Sequence, residues 1–168
     1  KGQLEEAKKI YNQVLKDLVY EHQYRTYYNL ALIGLKKKNY NESLELLELS
    51  IKEKEDYCPA HYQKGSIFKL KRSYHKAYKS YQQASKGVCY NNPAPIYQQA
   101  KMLILLKKHP LAKLKLRDIM TRFNNTNYAE LAAVQLKKLN ARNSFSHTQI
   151  NHDKEIKQNN TNFQSPKF

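Results

Sequence analysis

The sequence predicts an all-α chain of about three and a half stacked helix hairpins, followed by a capping helix and a polar tail. Three observations carry this. A set of small and aromatic residues recurs at a step of 34 or 35 positions. Apolar residues within each recurrence follow the helical i, i+3, i+7 spacing. The 168 residues contain only four Gly and five Pro, too few for the many turns of an all-β chain.

The opening segment "GQLEEAKKIYNQVL" reads as one helix. Stepping back 36 from Ser43, Leu47 and Ser50 reaches Ala7, Tyr11 and Val14. Residues 1–18 are therefore expected to be the second half of a hairpin whose first half lies upstream. The first full repeat is expected at 24–57. Its marker residues are Ala31, Gly34, Tyr40, Ser43, Leu47 and Ser50. Adding 34 gives Gly65, Phe68, Tyr74, Ala77, Tyr81 and Ala84, which place the second repeat at 58–91. A further step of 35 gives Ala100, Leu103, His109, Ala112, Leu116 and Ile119, and a third repeat at 93–126. Each repeat breaks at "KKKNYN", "KRSYH" or "KKHPL", so each is two antiparallel helices. Asn39, Ser73 and Lys108 stand at matching turn positions, and Asn39 and Ser73 suit helix N-caps. Pro110 sits where a first-turn proline is tolerated.

Small residues are expected where helices approach closely, at Ala31, Gly65, Ala100, Ala77 and Ala112. Phe68 and Tyr81 would fill the holes between them. One hairpin cannot bury its apolar face alone, and stacking does so. "YAELAAVQLKKLN", 128–140, reads as an amphipathic cap with Leu131, Val134 and Leu139 toward the core. The repeat domain thus spans 1–140. Residues 141–168, rich in Asn, Gln and Ser, read as a disordered tail.

The small-x2-aromatic, Tyr, Ala, Tyr, Ala spacing resembles the tetratricopeptide repeat family over about residues 1–123. That resemblance implies a right-handed α-solenoid and a protein-binding function. The sequence departs from the family pattern at Gly34, where a bulky residue is usual, and at Ser43 and Ser50, where alanines are usual. In the family, one stripe of each first helix lines a concave groove. Carried onto this chain, the stripe is Tyr28, Asn29 and Leu32, then Tyr62, Gln63 and Ser66, then Tyr97, Gln98 and Lys101. It sets a column of three tyrosines beside a column of three amides. Rings offer contact area at low entropy cost, and amides pair with the backbone of an extended peptide. The same tyrosines also suit half-buried packing, and the amide column favours the groove. Family members that clamp a terminal carboxylate carry Lys at the fifth position, where this chain has Tyr, so that role is not expected.

"YNLALI", "CPAHYQKG" and "CYNNPAPIY" further resemble the tetratricopeptide lipoproteins of bacterial type IV pilus assembly, the secretin pilotins. This implies a periplasmic, outer-membrane-associated adaptor, held to the membrane only by an N-terminal lipid anchor upstream of this sequence. A cytoplasmic location is the alternative.

No catalytic constellation is present: no HExxH, GxSxG or phosphate loop. The six histidines are dispersed, and neither a metal nor a cofactor is expected. Cys58 and Cys89 fit no metal spacing. They are either a disulfide, which needs an oxidising compartment, or two reduced and half-buried thiols. The net charge is +16, and it is uneven. No Asp or Glu occurs from Pro59 to Arg117, while thirteen Lys and Arg do. An acidic protein partner would match this charge. A basic repeat surface for nucleic acid or another polyanion is the alternative function.

Overall fold

The computed structural model describes residues 2–17 and 20–141. Helix α1 is Gly2–Val14, α2 Gln23–Lys36, α3 Tyr40–Glu53, α4 Cys58–Leu70, α5 Tyr74–Gln83, α6 Pro93–Leu105 and α7 His109–Arg122. A 3-10 turn, Gly87–Cys89, lies between α5 and α6. A last helix, α8, covers 127–141. No strand occurs among the described residues. The expected tail, but for the residue that ends α8, lies outside them. The chain forms two units, Lys1–Lys115 and Leu116–Phe168.

In the first unit each helix packs on the next in sequence, from α1 through α6. Among the described residues, two apolar clusters hold it. Ala31, Leu47, Ala60 and Ile67 join α2, α3 and α4, and Ala77, Tyr81 and Met102 join α5 to α6. The small residues lie where the sequence requires close approach. A Cβ placed on Gly65 would stand 2.9 Å from the ring of Tyr81, which is fully buried. In the preceding hairpin the same two positions hold Ala31 and Leu47, a larger residue facing a smaller one. The departures from the repeat pattern also have a physical reason. A Cβ on Gly34 would stand 2.5 Å from Ser43 Oγ, so the missing side chain makes room for the hydroxyl. That hydroxyl donates to the Asn39 carbonyl at 2.9 Å. Ser50 Oγ donates to the Tyr24 carbonyl at 2.7 Å, tying α3 to the start of α2.

The turns repeat as closely as the helices. At the end of α2, Lys38 N–H donates to Leu35 and Asn39 N–H to Gly34. At the end of α4, Arg72 and Ser73 donate to Lys69 and Phe68; at the end of α6, Lys107 and Lys108 donate to Ile104 and Leu103. This is the Schellman pattern, which satisfies the last carbonyls of each helix. Its left-handed residue is Lys38 (φ 63°), Arg72 (φ 57°) or Lys107 (φ 58°). Asn39 and Ser73 do precede α3 and α5, but neither side chain caps the helix. Their ψ of 67° and 66° falls short of the extended value that aims an N-cap side chain along the helix. Asn39 Nδ2 instead donates to Glu42 Oε2 at 3.2 Å.

In the second unit Leu116, Ile119, Ala129, Ala132 and Leu139 are buried. The cap was expected to bury Leu131 and Val134, and this is corrected: they are 41% and 53% exposed. Helix α8 turns its alanine stripe inward instead, leaving those two branched side chains to solvent. No described helix is long and apolar enough to cross a membrane.

Candidate functional site

The first turns of α4 and α6 both carry proline, at Pro59 and Pro93, where the missing N–H costs no helical bond. Asn92 caps α6, its Oδ1 accepting from Ala94 N–H at 3.0 Å. A disulfide joins Cys58, the first residue of α4, to Cys89 in the 3-10 turn. It settles the alternative the sequence left open and fixes the loop before α6 against α4.

Beside this clip lies an open cleft of about 280 Å³. Its walls are Tyr28 of α2, Tyr62 and Gln63 of α4, and Asn92 and Pro95 at the head of α6, with Cys58 and Cys89 alongside. The aromatic walls are braced from behind. Tyr28 meets Tyr57 edge-on at 5.4 Å, and Tyr62 meets Tyr81 at 5.3 Å. Burial, then the neighbouring Tyr28, pushes the Tyr57 hydroxyl above the ordinary phenol range. Burial does the same to Tyr81, although the Ser66 hydroxyl partly offsets it.

Of the nine stripe residues, the cleft brings together Tyr28, Tyr62 and Gln63. Ser66 faces α5, with its Oγ 3.2 Å from the Tyr81 hydroxyl. Asn29 and Leu32 are half-buried on α2. Tyr97 carries the Lys101 ammonium over its ring at 5.9 Å, and the Gln98 Oε1 is buried with no hydrogen-bond partner. Lys101 also lies close to Lys69, whose pKa is lowered by burial and then by this second cation. Asn92, Pro95 and the cystine were not singled out as wall residues. The "CYNNPAP" run was their signal, since a cap and a first-turn proline fix where α6 begins. Among the described residues, no group of His, Cys, Asp and Glu is placed to hold a metal.

Residues 24–57 match the tetratricopeptide repeat. Within those residues the chain carries one such repeat. Its fold is shared by PilW, a widely conserved type IV pilus biogenesis factor, with a TM-score of 0.68 and 14% identity over 79% of this chain and 60% of that one. A tetratricopeptide repeat protein from Parabacteroides merdae is similar at TM-score 0.73 and 16% identity, over 90% and 59%. The pilF protein of Pseudomonas aeruginosa is similar at 0.61 and 18%, over 79% and 60%. The chain spans about 60% of the length of each. No curated protein sequence matches the chain.

Proposed function

We propose that this tetratricopeptide-repeat scaffold is a non-catalytic adaptor that grips an extended segment of a partner protein, in assembly of a bacterial envelope machine such as the type IV pilus secretin. The observation that carries the grip is the cleft. Two braced tyrosines and a proline offer apolar walls, and Gln63 and Asn92 stand among them. Such walls suit one or two apolar side chains with amide pairing to the flanking backbone. The acid-free stretch from Pro59 to Arg117 favours a segment with acidic flanks. Likeness to PilW and pilF supports the envelope assignment. A disulfide that belongs to an oxidising compartment does so too.

The test is retention of a partner from a native bacterial extract, after nuclease and at ~0.3 M salt, where surface attraction is screened. Gln63→Ala and Ala94→Arg are compared with the parent, the second placing a long side chain in the cleft. Retention of one discrete protein by the parent and its loss from both variants supports the reading. Equal retention by all three removes the cleft from binding.

A further inference from the structure

The three Schellman turns share one edge of the first unit, because α2, α4 and α6 run the same way and consecutive helices pack on one another. Lys71 Nζ on the second turn reaches Asn41 Oδ1, just past the first turn, at 2.8 Å. The edge is basic. The turns read "KKK", "KR" and "KK", and every one of these cations is exposed. Carboxylates temper only its N-terminal end, where Glu5 pairs with Lys37. Among the described residues, no ion pair engages Arg72, Lys107 or Lys108.

A cation near a helix C-terminus is ordinary, since it faces the negative end of the dipole. Two further features are not explained that way. All three left-handed positions hold Lys or Arg, although glycine takes that conformation without a steric penalty. A cation one residue earlier would serve the dipole equally well. Beside these cations stand exposed leucines: Leu70 at 59% and Leu105 at 49%, each the last residue of its helix, and Leu111 at 49%. A row of cations interleaved with projecting leucines matches a charged interface over a hydrocarbon layer.

We infer that this edge docks on an anionic phospholipid surface, its leucines entering the interface and its turn cations meeting the headgroup phosphates. A nucleic-acid strand fits the edge less well. Stacking needs exposed rings. The tyrosines that follow the first two turns, Tyr40 and Tyr74, are packed on the core clusters. This surface is separate from the cleft, so the inference does not rest on the adaptor reading.

The test uses the whole chain in flotation with vesicles. One set is phosphatidylcholine alone, and the other contains about a third phosphatidylglycerol. Binding is expected only to the second set. The informative variant is Arg72→Gly with Lys107→Gly, because it removes two cations at positions glycine favours and should melt no lower than the parent. Each cation near an anionic surface contributes about five-fold in affinity, so this pair should weaken binding by roughly 25-fold. Leu70→Ser with Leu105→Ser should weaken it as well while leaving neutral vesicles unbound. Three results overturn the inference: no binding to anionic vesicles, binding unchanged in the glycine pair, or binding unchanged in the serine pair. If the serine pair is inert and a single-stranded oligonucleotide displaces the chain, the edge is a polyanion surface and not a membrane one.

Discussion

Replacing Gly65 with valine tests a close contact between α4 and α5. The first added carbon would sit 2.9 Å from both Cδ1 and Cε1 of Tyr81 and 3.1 Å from Cγ. These distances are well inside van der Waals contact, so the ring must move or the helices must part. The ring is poorly able to move. Its side chain has no solvent exposure, its hydroxyl is 3.2 Å from Ser66 Oγ, and its carbonyl accepts from Gln99 Nε2 at 3.0 Å. Forcing extra methyl groups into such a site costs about 1–3 kcal/mol. Valine has two branches beyond the first carbon, which argues for the upper end. Against this stands a gain of a few tenths of a kcal/mol in helix propensity over glycine. The net loss is about 2–3 kcal/mol, or a melting temperature lower by roughly 5–10 °C for a chain of this size. Thermal melting by circular dichroism measures it. Tyr81→Leu in the same background should recover part of the loss, because it removes the ring atoms that the added carbons would meet. A Gly65→Val variant that melts with the parent, or above it, would refute both the helix register and the packing argument.

The disulfide and the N-terminal helix give two more expectations. Cys58 and Cys89 are 31 residues apart, and closing a loop of that length stabilises the fold by about 3–4 kcal/mol in the chain-entropy account. Cys58→Ser with Cys89→Ser should show that loss in urea denaturation; a change under ~1 kcal/mol would mean the bond does not restrain the unfolded chain. Glu5 and Glu42 have carboxyl pKa values held below the ordinary 4.5, first by hydrogen bonds from Lys37 and Lys8 respectively. A lowered carboxylate stabilises the fold fully above the ordinary value and progressively less as pH falls through the lowered one. Amide protection of α1, corrected for intrinsic exchange, should therefore hold from neutral pH to ~5 and drop toward ~3, while α4 to α6 keep theirs. Protection of α1 that is flat across that range would show these two pairs to be idle.

The repeat was legible because it is written in residues whose size the packing dictates. Gly65 opposite Tyr81 and Ala31 opposite Leu47 are visible at a fixed step, and they are the contacts that set hairpin spacing. The turns were legible too, since a run of cations and polar residues interrupts each apolar stripe. What each turn residue does was not legible. Asn39 and Ser73 look like caps, and only backbone angles show that their N–H groups close the preceding helix instead. The face of α8 was misread because leucine and valine outweigh alanine on any apolar scale. Where helices come close, alanine is the residue that fits. The departures at Gly34 and Ser43 looked like two defects in the pattern. They answer one another across a gap that one hydroxyl fills. For the cleft, sequence register supplied Tyr28, Tyr62 and Gln63. The other wall depends on where the 3-10 turn and the cystine bring the head of α6, which a repeat register cannot express.

Tyr81 also bears on how the first unit comes apart. A stack of hairpins resembles a row of dominoes: each piece feels only its neighbours, and disorder entering at an end travels until it meets a joint it cannot open. Helix α1 buries no residue and is the weakest piece of the described row. Tyr81 is such a joint, since its ring locks α5 to α4 and its carbonyl locks α5 to α6. Loss of α1, and then of α2 with α3, should run inward and halt there, leaving a folded remnant of α4 to α6. Gradual denaturation should then register as two events, the earlier one at the N-terminal hairpin and the later one at the aromatic joint.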